Sequence, residues 1–168
     1  DRSQQWNTSF DKLEGKGFFT KELEEALLSK DIDLAVHSHK DLATESPSGL
    51  MVAGVSRRAD PSELLLIRKD LVDTNLKFNL KENAIVGTSS SRRKSQLLAF
   101  RPDVELKELR GNVPTRIEKL RKGDYDAILL AAAGVERLEL DLEDLHVDYL
   151  KPEEFVPAPA QGVLAWQT

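Results

Sequence analysis

The 168-residue chain contains no cysteine. That excludes disulfide frameworks, thiolate zinc sites, thiol nucleophiles and any group held through a sulfur of this chain. No apolar run approaches the roughly 18 residues of a membrane-spanning helix. The polar opening from Asp1 to Thr8 is unlike a secretory signal, and the expectation is a cytoplasmic chain. Positive charge is not in surplus: 24 Lys+Arg stand against 29 Asp+Glu, a net charge of −5. This balance argues against nucleic acid as a partner and leaves room only for a local basic pocket. Neither a G-x-G-x-x-G nor a Walker phosphate loop is present, and no G-x-S-x-G elbow supports a serine triad. What the chain does have is length. A protein of this size typically buries about 70% of the surface that its unfolded form exposes, enough for a core without covalent staples.

Local signals divide the chain. Thr20 is placed to cap a helix over 21–29, in which Leu23, Ala26 and Leu27 share one face. Residues 33–38 read as a short buried strand that ends in the polar turn His39-Lys40-Asp41, and the apolar stretch 50–55 follows a turn at Ser46-Pro47-Ser48-Gly49. From about Ser62 strands alternate with helices, the pattern of βαβ units on a parallel sheet. Strands are expected over 84–87, 104–109 and 126–131. Helices are expected over 90–100, over 113–122 with Gly123 at its left-handed end, and near Val135. Prolines 152, 157 and 159 mark a hinge. The expected fold is α/β: a doubly wound, mainly parallel sheet domain over 61–154, part of a second similar domain over 1–60, and a hinge and return segment over 155–168.

The chemistry lies in where three turns place arginines. In Gly87-Thr88-Ser89-Ser90-Ser91-Arg92-Arg93 a strand ends, hydroxyls follow, and two arginines enter the first turn of a helix. The helix dipole disfavours cations there by a few tenths of a kcal/mol each, so something anionic should compensate. Arg110-Gly111-Asn112-Val113-Pro114-Thr115-Arg116 repeats the arrangement, with Asn112 as N-cap and Pro114 in the first turn. A third strand leads through Gly134 to Arg137. In a parallel sheet all three turns share the carboxyl edge, where open α/β folds bind ligands. Guanidinium forks gathered there suit a polyanion carrying carboxylate or phosphate. Taken singly, each arginine is better read as a surface residue paired with a nearby Asp or Glu; it is the set, at three successive strand ends, that favours a shared anion site.

Lys40-Asp41, at the end of the first strand, supplies a carboxylate suited to proton transfer or to stabilising a developing cation, beside a lysine suited to an acid group. His37 and His39 flank Ser38 with period-two spacing, which places both on one strand face. They lack a third partner, and no metal site is assigned.

Six ordered motifs carry a resemblance. They are Lys16 to Glu24 (KGFFTKELE), Asp33 to Leu42 (DLAVHSHKDL), Gly87 to Arg93 (GTSSSRR), Leu109 to Arg116 (LRGNVPTR), Tyr125 to Gly134 (YDAILLAAAG) and Pro157 to Gly162 (PAPAQG). In this order they resemble the porphobilinogen deaminase family, also called hydroxymethylbilane synthases. The resemblance implies a transferase of tetrapyrrole (heme) biosynthesis that joins four porphobilinogen molecules head to tail with release of ammonia at each addition. It also implies a dipyrromethane cofactor as primer, porphobilinogen as the small-molecule partner, no nucleic-acid or membrane partner, and a monomer.

Carried over position by position, Asp41 resembles the family's catalytic aspartate. Lys40, Ser38, Thr88, Ser89, Arg92, Arg93, Arg110 and Gly111 resemble its cofactor-binding residues. Arg116, Arg137, Lys16, Phe19 and Gln161 resemble its substrate-binding residues, with Lys16 and Phe19 in a segment over the site. The electrostatics agree, because each porphobilinogen brings two carboxylates and loss of ammonia leaves a cation that a buried carboxylate would stabilise. The cleft is expected between the two domains.

Departures are also informative. The family's Arg-x-Ser-x-Leu-Ala motif does not precede Lys16, and the cysteine that carries dipyrromethane is absent. Ser91 stands where leucine is usual, and His39 is unusual within its motif. The expectation is a fragment, inactive by itself. The alternative is a non-enzymatic organic-anion-binding module of the two-lobed periplasmic-receptor type, whose lobes share this fold. That module would need cleft cations but no central carboxylate.

Overall fold

A computed structural model describes residues 20–168. Lys16 and Phe19 therefore lie outside the described residues. The chain divides into two units, Asp1–Ala59 with Pro159–Thr168, and Asp60–Ala158.

In the first unit, helix α1 (Lys21–Leu28) precedes strand β1 (Ala35–Ser38), a single 3-10 turn (His39–Asp41) and strand β2 (Val52–Val55). The last strand of the chain, β8 (Leu164–Gln167), inserts between β1 and β2 and runs antiparallel to both. Its alternation places Ala165 and Gln167 inward, opposite His37 and Ala35, which are also buried. The 155–168 segment was not expected to hold a strand. Only a sheet neighbour 110 residues or more distant in sequence makes Leu164-Ala165-Trp166-Gln167 extended.

The second unit begins with β3 (Glu63–Arg68) and continues through β4 (Ile85–Gly87), α2 (Ser91–Phe100), β5 (Glu105–Lys107), α3 (Val113–Arg121), β6 (Ala127–Ala131), α4 (Ala132–Glu136) and β7 (Leu145–Leu150). Its sheet has the order β5-β4-β6-β3-β7. β4 pairs in parallel with β5 and β6, while β3 is antiparallel to both β6 and β7. All strands but β3 thus point the same way, which is the mainly parallel α/β sheet expected.

The core occupies both faces. On one, Leu65, Ile67, Val86, Ala127 and Leu129 meet Leu97 of α2 together with Phe78, Leu80 and Phe155. On the other, Leu64, Leu66, Ile128 and Leu130 meet Ile117 and Leu120 of α3 and Val135 of α4. This explains why the run Leu64-Leu65-Leu66-Ile67 lacks alternation: β3 is covered on both sides, and each such side chain contributes about 1.5–3 kcal/mol by burial. Phe155 is fully buried in the first layer, which carries this unit past residue 154.

The wrapping follows from handedness. β4 connects outward to β5, and β5 connects back across β4 to β6. Right-handed crossovers in opposite directions put α2 and α3 on opposite faces, which is the doubly wound arrangement. β4 is followed by α2 on one face and its neighbour β6 by α4 on the other, which makes the carboxyl ends of these two strands the topological switch point at which open α/β sheets bind ligands.

Candidate functional site

The edge where β4, β5 and β6 end gathers the turns that the sequence singles out. Thr88, buried at 2% exposure, and Ser89 follow β4, and Ser90 caps α2 by accepting from the Arg93 N–H at 3.5 Å. Ser89 is committed to the scaffold: its hydroxyl donates to the Leu109 carbonyl at 2.8 Å and accepts from the Leu109 N–H at 3.1 Å. It therefore stitches the end of β4 to the end of β5. Lys94 pairs with Glu108 at 2.5 Å.

Arg92 and Arg93 occupy the first turn of α2, where an anion was expected to compensate them. Part of that anion lies within the chain. Glu63, 0% exposed, accepts at Oε1 from Arg92 Nη2 at 2.5 Å and at Oε2 from Arg93 Nε at 3.0 Å and Nη2 at 2.6 Å. Arg93 also donates to the Leu129 carbonyl at 3.0 Å and is itself buried. Arg92 donates its other terminal nitrogen to the Val156 carbonyl at 2.5 Å and keeps 27% side-chain exposure. Burial pushes the Glu63 carboxyl up, but the two guanidiniums outweigh it and hold the group below the usual carboxylate range.

Glu63 was not singled out from sequence. It reaches this edge because β3 runs against its neighbours: its first residue pairs with Ala131 at the end of β6 and with Leu150 at the end of β7. The available signal was a carboxylate at the head of an otherwise apolar run.

The second arginine turn is built on Gly111 and Asn112. Gly111 has φ +115°, a conformation in which a side chain is strained, and a Cβ there would lie 2.8 Å from Thr115 Cγ2. Asn112 caps α3 by accepting from the Thr115 N–H at 3.0 Å. The turn fixes Arg116, whose Nε donates to the Gly111 carbonyl at 2.6 Å, while the Arg110 carbonyl accepts from Lys119 at 3.1 Å. Arg137 stands apart from these contacts, exposed at the C-terminal end of α4.

In the first unit the structure brings Lys40 and Gln161 together across the sequence, with Lys40 Nζ 3.4 Å from Gln161 Oε1. Gln161 is 1% exposed, and its carbonyl accepts from Arg58 Nε at 2.9 Å. Asp41 closes the 3-10 turn beside Lys40 and is exposed, not buried as the electrostatic argument required. His37 and His39 do not share a strand face. β1 stops at Ser38, so His37 is buried in the sheet while His39 opens the turn. Ser38, at the strand end, is half-buried. Among the described residues His37 Nε2 and Gln167 Oε1 are buried without a hydrogen-bond partner. No group of three metal-capable side chains occurs among them, and no described helix is long and apolar enough to cross a membrane.

A family model described as "Porphobilinogen deaminase, dipyromethane cofactor binding domain" matches residues 1–168. The chain belongs to the porphobilinogen deaminase family. A porphobilinogen deaminase from Thermus thermophilus is 53% identical over 152 residues, 89% of this chain and 48% of the relative. One from Bacillus subtilis is 45% identical over 159 residues, 95% of this chain and 49% of the relative. The chain thus spans about half the length of the curated porphobilinogen deaminases it matches. A periplasmic binding protein from Brucella ovis, solved with glutathione bound, superposes with TM-score 0.56 at 18% identity, covering 86% of this chain and 46% of that one. An ancestral cationic amino acid solute-binding protein gives TM-score 0.50 at 16% identity, with 87% of this chain and 60% of that one covered. These two share the fold, which is periplasmic-binding-protein-like as expected. The sequence relatives place the chain among porphobilinogen deaminases and not among receptors.

The donor set fits the cofactor in that family's description. The dipyrromethane of this family carries acid side chains, and the turns at this edge carry Arg92, Arg110 and Arg116, of which Arg92 is braced by the buried Glu63. No sulfur of cysteine is available in this chain to hold it covalently.

Proposed function

We propose that this chain contributes the carboxylate-binding and proton-handling residues of a hydroxymethylbilane synthase, the transferase that joins four porphobilinogen molecules head to tail and releases ammonia at each addition. The observation that carries the reading is the placement of Arg92, Arg110 and Arg116 on helix N-termini and turns at one sheet edge, in a chain 53% identical to a porphobilinogen deaminase. Arg92, Arg110 and Arg116, with Thr88 and the Gly111 turn, would hold the acid side chains of the dipyrromethane, and Ser89 holds the ends of β4 and β5 together. Arg93 supports the same residues from behind, and Arg137 is assigned to the acid groups of incoming substrate. The bound cofactor supplies the pyrrole chain that is extended.

Asp41 is assigned the catalytic role, accepting from pyrrole N–H groups and stabilising the cation left when ammonia departs. Its exposure means that exclusion of water has to come from outside its own turn. Lys40, held by Gln161, offers an ammonium to a carboxylate, and Ser38 a hydroxyl. Lys16 and Phe19 belong to the same assignment by motif. The partner is small-molecule porphobilinogen, in the cytoplasm, with the protein acting as a monomer. Because the chain has no cysteine, it should bind porphobilinogen without turning it over. Incubation of the purified chain with porphobilinogen tests both halves: saturable binding without ammonia release is expected, and either no binding or ammonia release at an enzymatic rate overturns the reading.

A further inference from the structure

The cationic edge contains one ion whose geometry the reaction does not explain. Glu63 is fully buried, acts on no substrate from that position, and spends both carboxylate oxygens on the tandem arginines. The two arginines are not equivalent. Arg93 gives three donor contacts to Glu63 and the Leu129 carbonyl and is buried at 7% exposure. Arg92 meets Glu63 through one terminal nitrogen only, spans to the Val156 carbonyl with the other, and stays part-exposed. A guanidinium has five N–H groups. Held at two points, Arg92 is braced with donors left over, whereas Arg93 is sealed in.

We propose that Glu63 is a positioning residue that divides the arginine pair, fixing Arg93 as a structural counter-ion and bracing Arg92 so that its guanidinium meets the ligand's carboxylate. This rests on the reading that the edge binds a carboxylate-bearing pyrrole. The topology makes the division possible. In a sheet whose other strands all end at this edge, β3 alone begins there, so a carboxylate can be buried behind α2 without interrupting the apolar run that follows it. The pair also answers the helix dipole: two cations in the first turn of α2 receive a fixed anion, and one positive charge remains unneutralised for a ligand.

The sign of one substitution separates positioning from simple charge balance. Glu63→Gln removes a negative charge, which by electrostatics alone tightens binding of an anion. Positioning requires the opposite, a loss of about tenfold, the worth of one weakened charge-assisted hydrogen bond. Porphobilinogen is titrated into the purified chain, its Glu63→Gln variant and a Glu63→Asp variant, which keeps the charge but draws the carboxylate back by one methylene. Arginine Nε–H exchange is recorded by NMR on the same samples without ligand. The expected result is weaker binding by both variants, together with faster exchange at Arg93 Nε. Equal or tighter binding by Glu63→Gln, or unchanged Nε–H exchange, overturns the proposal while leaving the functional reading in place. If Glu63→Gln does not fold, Glu63→Asp decides by the same criteria. If the unaltered chain binds no porphobilinogen, the functional reading falls and the positioning role falls with it.

Discussion

Arg93 donates from Nε at 3.0 Å and from Nη2 at 2.6 Å to one oxygen of Glu63, a carboxylate delivered by the strand that runs against its neighbours. The other oxygen takes Arg92. Tandem arginines at a helix start look from sequence like two equivalent ligand groups. Packing makes one of them part of the core and leaves the other part-exposed at the edge.

Breaking this cluster should cost more stability than any exposed ion pair in the chain. Replacing one partner of a buried pair leaves the other charge uncompensated, at roughly 3–5 kcal/mol, against about 0–1 kcal/mol for exposed pairs such as Lys21 with Glu25. Urea unfolding of Glu63→Ala and Glu25→Ala should show that contrast. A Glu63→Ala midpoint close to that of the unaltered chain would mean the pair is not closed in solution.

The same carboxylate sets a direction for acid sensitivity. The folded Glu63 carboxyl lies below its ordinary value of 4.5, so its stabilisation is complete above that pH. It is lost as pH falls from 4.5 through the depressed folded value. Thermal midpoints measured from neutral to acid pH should decline more steeply below the ordinary carboxylate range in the unaltered chain than in Glu63→Gln, where this titration is gone.

Gly111→Ala should be damaging for two reasons. The residue sits at φ +115°, and the new methyl would press on Thr115 Cγ2 at 2.8 Å. Strain of this kind costs about 1–3 kcal/mol, and relief by moving the turn would shift the carbonyl that holds Arg116 Nε. Both the unfolding midpoint and porphobilinogen affinity should fall.

The two helix caps should differ in worth. Asn112 accepts from the Thr115 N–H at 3.0 Å, whereas the corresponding Ser90 contact is 3.5 Å long. Asn112→Ala should cost about 1 kcal/mol in denaturant titration, and Ser90→Ala measurably less. A larger loss for Ser90→Ala would show that its hydroxyl serves more than the cap.

Asp41→Ala should leave the fold untouched, because an exposed surface substitution changes stability by no more than about 0.5 kcal/mol. In a full-length porphobilinogen deaminase such as the Thermus thermophilus relative, alanine at the aspartate corresponding to Asp41 should abolish ammonia release from porphobilinogen. Retained turnover would remove Asp41 from the catalytic role assigned to it.

Sequence by itself was sufficient for features that are local or periodic. Helices α2 and α3, their caps Ser90 and Asn112, strands β4, β5 and β6, and the arginine-bearing turns after β4 and β5 all declare themselves through spacing, turn chemistry and capping residues within a few positions of one another, whereas Arg137 falls at the far end of α4. Six motifs in order also identified the family, because such motifs record chemistry directly. Tertiary structure decided whatever depends on a neighbour far along the chain. β3 and β7 form the antiparallel side of the second sheet, and β8 becomes a strand only by lying between β1 and β2. Strand direction brought Glu63 to the arginine edge, and burial then separated Arg93 from Arg92. Charge, size and spacing are properties of residues, but which cation receives an internal counter-ion is a property of the packed sheet.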